Sequence, residues 1–73
     1  MYIDKTAVLD ENVTLGKNIS IWHFCHVMSN SKIGDNSILG QNVMIGNNVV
    51  IGKGCKIQNN VSVYEGVELE DNV

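Results

Sequence analysis

Proline is absent from this chain, and only two cysteines, Cys25 and Cys55, occur among its 73 residues. Two cysteines are too few for the disulfide framework of a small secreted scaffold. The five Lys or Arg residues are dispersed and outnumbered by eight Asp or Glu, for a net charge of −3. That balance argues against a nucleic-acid-binding surface. No apolar run approaches the roughly 20 residues of a membrane-spanning helix. Met1 does not open a basic-then-apolar leader. These absences lead to the expectation of a soluble, cytoplasmic protein with neither nucleic acid nor membrane as partner. The length allows one small domain, of a size that struggles to bury enough surface to fold alone. No linker, low-complexity segment or charge block divides it.

What the chain does have is a period. An aliphatic residue recurs every six positions: Ile3, Leu9, Leu15, Ile21, Val27, Ile33, Leu39, Ile45, Ile51, Ile57, Val63 and Leu69. With this residue as position one of a hexad, position five is small or β-branched throughout, from Ala7 and Val13 to Val67 and Val73. Both positions share a parity, so in an extended strand they face one side. Position three has the same parity but is always polar, from Lys5 to Asp71. The chain must therefore turn there. Position four holds asparagine at 12, 18, 30, 36, 42, 48, 60 and 72 and glycine at 54 and 66, residues that tolerate a left-handed backbone. Position two carries Gly16, Gly34, Gly40, Gly46 and Gly52, also suited to a tight corner.

A helix is excluded, because six residues advance about 240° and would scatter the aliphatics. Short strands joined by corners remain, the hexapeptide pattern of a parallel β-helix. Three hexads make one triangular coil, giving four coils at residues 3–20, 21–38, 39–56 and 57–73. The column Lys17, Asp35, Lys53, Asp71 reads as an alternating charge ladder between coils. Periodicity leaves the handedness open. Val73 falls at position five of the twelfth hexad, without the capping unit that repeat proteins need. Residues 1–73 are thus expected to be the N-terminal part of a single β-helix domain truncated at its C-terminal end.

Departures from the repeat mark candidate functional residues. At Trp22-His23-Phe24, rings replace the usual glycine, polar residue and asparagine. The same column holds Asp4-Lys5-Thr6 below, and Gly40-Gln41-Asn42 and Gln58-Asn59-Asn60 above. Rings and amides stacked outward suit a polar ligand with a flat part. Trp22 and Phe24 could equally pack on an N-terminal segment or a neighbouring subunit, and Asn60 is in phase as a corner residue. A second column contains Asp10, Met28, Gly46 and Tyr64, where Tyr64 could cover a coil edge or enter an interface. His23 and His26 form a His-x-x-His pair, but at positions three and six they face different ways and lack a third ligand, so no metal is expected. His23 could serve in acid–base chemistry or hold a substrate. Cys25 and Cys55 occupy the inward position five and read as core. Val8, Ile38, Met44 and Val50 at the outward position six suggest faces covered by another chain.

These hexads resemble the left-handed parallel β-helix of bacterial hexapeptide-repeat acyltransferases. The IWHF-x-H start, the LGQNV coil and the KIQNNVSVYEGVELED run resemble, more narrowly, sugar-nucleotide N-acetyltransferases. Those enzymes acetylate the 3-amino group of UDP-2-acetamido-3-amino-2,3-dideoxyglucuronate, and close relatives act on dTDP-linked 3-amino sugars. The resemblance implies a homotrimer with sites between adjacent β-helices, acetyl-CoA as donor, and a product for surface polysaccharide. It implies His23, Gln41, Asn59 and Tyr64 as substrate-binding residues, with the principal acceptor-site residue and the coenzyme site beyond Val73. Other readings are a non-catalytic scaffold or trimerisation module and a metal-dependent protein like the γ-carbonic anhydrases. An ice-binding helix would need threonine ladders, and Thr6 and Thr14 are the only threonines. Expressed as these 73 residues, the coil is expected to aggregate or remain partly unfolded. A sharp, cooperative melt from a soluble monomer would contradict that expectation.

Overall fold

A computed structural model describes all 73 residues as twelve two-residue strands separated by corners. No helix is present, so none is long and apolar enough to cross a membrane. The first sheet contains β1 (Tyr2–Ile3), β4 (Ser20–Ile21), β7 (Ile38–Leu39) and β10 (Lys56–Ile57). The second contains β2 (Val8–Leu9), β5 (His26–Val27), β8 (Met44–Ile45) and β11 (Ser62–Val63). The third contains β3 (Thr14–Leu15), β6 (Lys32–Ile33), β9 (Val50–Ile51) and β12 (Glu68–Leu69). All pairing is parallel and in the expected register, Ile3 opposite Ile21 and Ile21 opposite Leu39. The chain is a left-handed parallel β-helix of about four coils.

The core is the stacked position-one and position-five columns. Ile21, Val27, Leu39 and Ile45 are fully buried, as are Ile19 and Val49. Burying such a side chain is worth roughly 1.5–3 kcal/mol, and each packs on its equivalents in the coils below and above. Cys25 and Cys55 lie in this core as free thiols. Polar atoms at position five are satisfied by one recurring device. Ser31 Oγ donates to the Gly46 carbonyl at 2.6 Å, and Ser37 Oγ to that of Gly52 at 2.8 Å. Cys25 Sγ donates likewise to the Gly40 carbonyl at 2.8 Å, and Cys55 Sγ to that of Glu70 at 3.1 Å. Each reaches the position-two carbonyl of the coil above.

The asparagine corners form as their residue type requires. All eight position-four asparagines have φ between 55° and 65°, and Gly54 and Gly66 have φ of 66° and 76°. The position-two glycines have a different cause from the one expected, since none of them adopts positive φ. Their requirement is space. A Cβ on Gly34 would come within 2.7 Å of the Gly52 carbonyl group, and one on Gly46 within 2.8 Å of the Glu65 nitrogen.

The charge ladder also needs correction. Its register is right, but the carboxylates do not pair with lysine ammonium groups. Asp35 Oδ1 accepts the Lys17 backbone N–H at 2.8 Å, and Asp71 Oδ1 accepts that of Lys53 at 2.8 Å. A corner has N–H groups that no strand satisfies, and a short carboxylate one coil above reaches them better than a long ammonium reaches the carboxylate. The position-four amides form a parallel ladder of their own, with Asn42 Nδ2 donating to Asn60 Oδ1 at 2.9 Å. Asn60 therefore has the structural role its phase suggests.

Because backbone, not a flexible side-chain tip, blocks the space over Gly34, Gly34→Ala should force neighbouring coils apart. A loss of about 1–3 kcal/mol is expected, read as a lower midpoint in denaturant unfolding.

Candidate functional site

The corner between the first and second sheets comprises residues 4–6, 22–24, 40–42 and 58–60. Its lowest level is organised by Asp4, a buried carboxylate. The Thr6 hydroxyl donates to Asp4 Oδ2, the Tyr2 hydroxyl to Oδ1 at 2.7 Å, and the Thr6 backbone N–H to Oδ2 at 2.9 Å. These donors hold the carboxyl well below the usual carboxylate range, against an opposing push from burial. Accepting its proton as a hydrogen bond raises the Tyr2 phenol in turn. The Thr6 oxygen also accepts the Phe24 N–H at 2.8 Å, tying the first coil to the second.

The ring cluster stands on this base. Trp22 packs against Tyr2 with centroids 5.0 Å apart and against His23 at 6.3 Å. Trp22 thus does meet the N-terminal coil, yet it remains 42% exposed. Phe24 occupies the left-handed position with φ 61°, where every other coil level above it has asparagine, and is 66% exposed. A bulky side chain there carries strain of order 1–3 kcal/mol.

Above Trp22 lies a notch of about 400 Å³ with Gly40 in its lining. Its lining includes Trp22, Gln41, Lys56, Gln58 and Asn59, with Ile38 and Ile57 on the strand side. Of the residues expected to bind substrate, Gln41 and Asn59 meet here. Asn59 has a second duty, since its Oδ1 accepts the Gln41 N–H at 2.8 Å. Its Nδ2 group and one Oδ1 lone pair are left for a ligand. His23 belongs to the same corner but does not line the notch. Its Nε2 is 3.4 Å from Asp4 Oδ1, and its Nδ1 is buried without a partner. The carboxylate below draws the imidazole back from the opening.

Tyr64 is not joined to the other three. It stands at the next corner, 71% exposed, and lines an apolar opening with Val61, Val63 and Val67. The two histidines are likewise separated, as His26 Nε2 lies 3.0 Å from Asp10 Oδ2 on the second sheet's side. Each imidazole is thus matched to a carboxylate of the first coil.

Three features escaped the reading of the sequence. Lys56 sits at the outward position six, a place defined by strand parity that carries no motif. The Asp4 hub could have been noticed from Asp-x-Thr at a level where position two otherwise favours glycine. Charge position alone could not distinguish an aspartate capping the coil beneath from one paired with lysine.

Comparison with known proteins matches residues 12–47 to the family model described as bacterial transferase hexapeptide (six repeats). Residues 31–65 match the hexapeptide repeat of succinyl-transferase. Among curated proteins, the chain is similar to the acyl-[acyl-carrier-protein]–UDP-N-acetylglucosamine O-acyltransferase of Brucella anthropi. The two are 45% identical over 38 residues, which is 52% of this chain and 14% of that protein. The match therefore covers a small part of that relative's length.

The Asp4 geometry sets a pH dependence with a definite sign. A carboxylate whose folded-state pKa is lowered contributes its stabilisation above the ordinary range near 4, and that contribution is lost as pH falls toward the folded value. Asp4→Asn should melt below the parent at pH 7, and the gap should narrow below about pH 4. Thermal melts over a pH series check this, and an unchanging gap would show that ionisation of Asp4 is not the cause.

Proposed function

We propose that this chain, which belongs to the hexapeptide-repeat family of bacterial transferases, forms the acceptor-holding part of an acyltransferase. The acceptor is a UDP- or dTDP-linked sugar with a free 3-amino group, acetyl-CoA is the donor, and the product is an N-acetylated sugar for surface polysaccharide. The observation that carries this reading is the Gly40 notch, where a half-exposed indole and the side chains of Gln41, Gln58 and Asn59 converge. Amides supply both donors and acceptors, which suits sugar hydroxyls and the amide of a 2-acetamido group. A flat indole suits the apolar face of a sugar or base.

In the reaction the neutral amine attacks the thioester carbonyl carbon. A C–N bond forms, the carbonyl electron pair moves to oxygen, and collapse breaks the C–S bond to release the CoA thiolate. The ammonium proton passes to base. Donors near the developing oxyanion would lower the barrier. The role of this chain's residues is to bind and orient the acceptor, which can supply much of the rate advantage by positioning alone. Drawn toward Asp4, His23 acts in this reading by holding Trp22 in place.

A homotrimer with sites between neighbouring β-helices belongs to the same proposal. Phe24 and Val8 are 66% and 52% exposed, apolar groups that a second copy would cover. The strain at Phe24 supports this, because asparagine would satisfy the corner at lower cost. A cytoplasmic location fits both proposed substrates.

A second reading has its own support. The Brucella relative is named for O-acylation of UDP-N-acetylglucosamine from an acyl-carrier protein, so an ester-forming reaction with a carrier-bound donor is the alternative.

With acetyl-CoA and a UDP- or dTDP-linked 3-amino sugar, the intact protein should release free thiol in step with loss of the amine. Gln41→Ala should raise KM for the sugar about tenfold, the scale of one lost hydrogen bond to a polar group. Turnover only with acyl-carrier protein and UDP-N-acetylglucosamine would favour the second reading, and no thiol release with any amino sugar would remove the first.

A further inference from the structure

We infer that Asp4 is a positioning residue for the acceptor site, acting on Trp22 through Tyr2 and His23. This rests on the reading of the notch as an acceptor site, and it places part of that site's binding strength in a residue outside the notch.

Asp4 occupies the place equivalent to Trp22 one coil down, in the register that sets Ile3 opposite Ile21. Its bonding differs from that of Asp35 and Asp71, whose carboxylates each accept one backbone N–H from the coil beneath. The two oxygens of Asp4 have separate partners. Oδ2 accepts the Thr6 hydroxyl and the Thr6 N–H, which orders the corner itself. Oδ1 accepts the Tyr2 hydroxyl at 2.7 Å and lies 3.4 Å from His23 Nε2. The two rings that reach Oδ1 are the same two that pack on Trp22. Tyr2 meets the indole at a 43° tilt, and His23 lies nearly parallel to it at 22°.

The backbone after Trp22 is tied to the same carboxylate. Thr6 Oγ donates to Asp4 and accepts the Phe24 N–H, so both residues that follow Trp22 are restrained from the first coil.

The environment also fixes how His23 contributes. A nitrogen facing a carboxylate oxygen presents a proton, since a lone pair there would meet negative charge. A proton on Nε2 leaves Nδ1 bare, and Nδ1 is buried without a partner, where an N–H would be an unsatisfied donor. Both nitrogens are thereby committed. His23 brings the site a fixed ring, not a proton acceptor.

Trp22 is half-exposed in the wall of the notch, where a free indole would have to be ordered by its ligand. Ordering it beforehand spares a cost equivalent to roughly twofold to tenfold in affinity. An indole that only holds the acceptor serves ground and transition states alike, so the loss on freeing it belongs in KM and not in kcat.

Trp22 is the single tryptophan of the chain, so emission reports this indole alone. The test compares the intact protein with Tyr2→Phe, Asp4→Asn, Trp22→Leu and the double variant of Tyr2→Phe with Trp22→Leu. Anisotropy decay reads the motion of the indole, and kinetics with acetyl-CoA and the 3-amino sugar read KM and kcat. Tyr2→Phe keeps the ring and removes only the hydroxyl, so it tests the arrangement even if Asp4→Asn fails to fold. In both variants the fast local part of the decay should at least double. KM for the sugar should rise about threefold to tenfold, with kcat within twofold of the parent. In the double variant KM should be no higher than in Trp22→Leu, because Tyr2 acts through the indole. Unchanged anisotropy in Tyr2→Phe, or a KM effect that adds in full to that of Trp22→Leu, would overturn the assignment. So would a fall in kcat at parental KM, the mark of a smaller folded fraction. Transfer impaired by Trp22→Leu but unaffected by Tyr2→Phe and Asp4→Asn removes this inference and spares the proposed function. A loosened indole in both variants, with no transfer to any amino sugar, supports the anchoring of Trp22 and removes the proposed function.

Discussion

Backbone hydrogen bonding between residues one coil apart is the interaction on which everything else in this molecule depends. Gly34 donates to the Ile51 carbonyl at 2.8 Å and Asn36 to that of Lys17 at 2.8 Å, and such bonds recur along the chain. Each strand is only two residues long, so no strand pair would persist by itself. Stacking makes them cooperative, because one register aligns all three sheets at once. That register places aliphatic over aliphatic in the core, aspartate over backbone N–H at the corners, and indole below glycine at the notch. A slip of one residue would reverse inside and outside everywhere.

Within that frame, the hexad repeat leaves its outward positions free, and the chain uses the freedom unevenly. Most corner residues serve the stack itself: Asp35 and Asp71, for example, cap the coil beneath. One corner is different. Asp4 gathers three hydrogen-bond donors and an imidazole, the rings rise from it, and a notch lined by Gly40 and its neighbours lies above them. The notch is bounded by an aromatic platform and a lysine. Phe24 shows the opposite economy, a strained and exposed ring at a position where asparagine would suit the backbone.

Family membership and this geometry reach different depths. The repeat belongs to the bacterial hexapeptide transferases, and one curated relative shares 45% identity across a stretch that is 14% of its own length. The rings of Trp22, His23 and Phe24 at the first corner are outside the repeat's requirements, so the functional proposal rests chiefly on that corner.

The sequence by itself determined the coil, its three faces, its 18-residue register and the residues of its core. Every repeat imposes the same local demand, an apolar side chain inward and a left-handed corner after it, so twelve repetitions leave one solution. It also located the unusual corner, because Trp22, His23 and Phe24 violate a template that can be read directly. Only the tertiary structure decided what those residues do. It turned His23 toward Asp4, set Asn59 Oδ1 to cap Gln41, and brought Lys56 to the notch. The physical reason is that inward positions answer to a shared periodic constraint, whereas an outward side chain answers to its particular neighbours one coil away. Those neighbours are set by stacking, and their partners are chosen by reach and hydrogen-bond geometry, which periodicity does not encode.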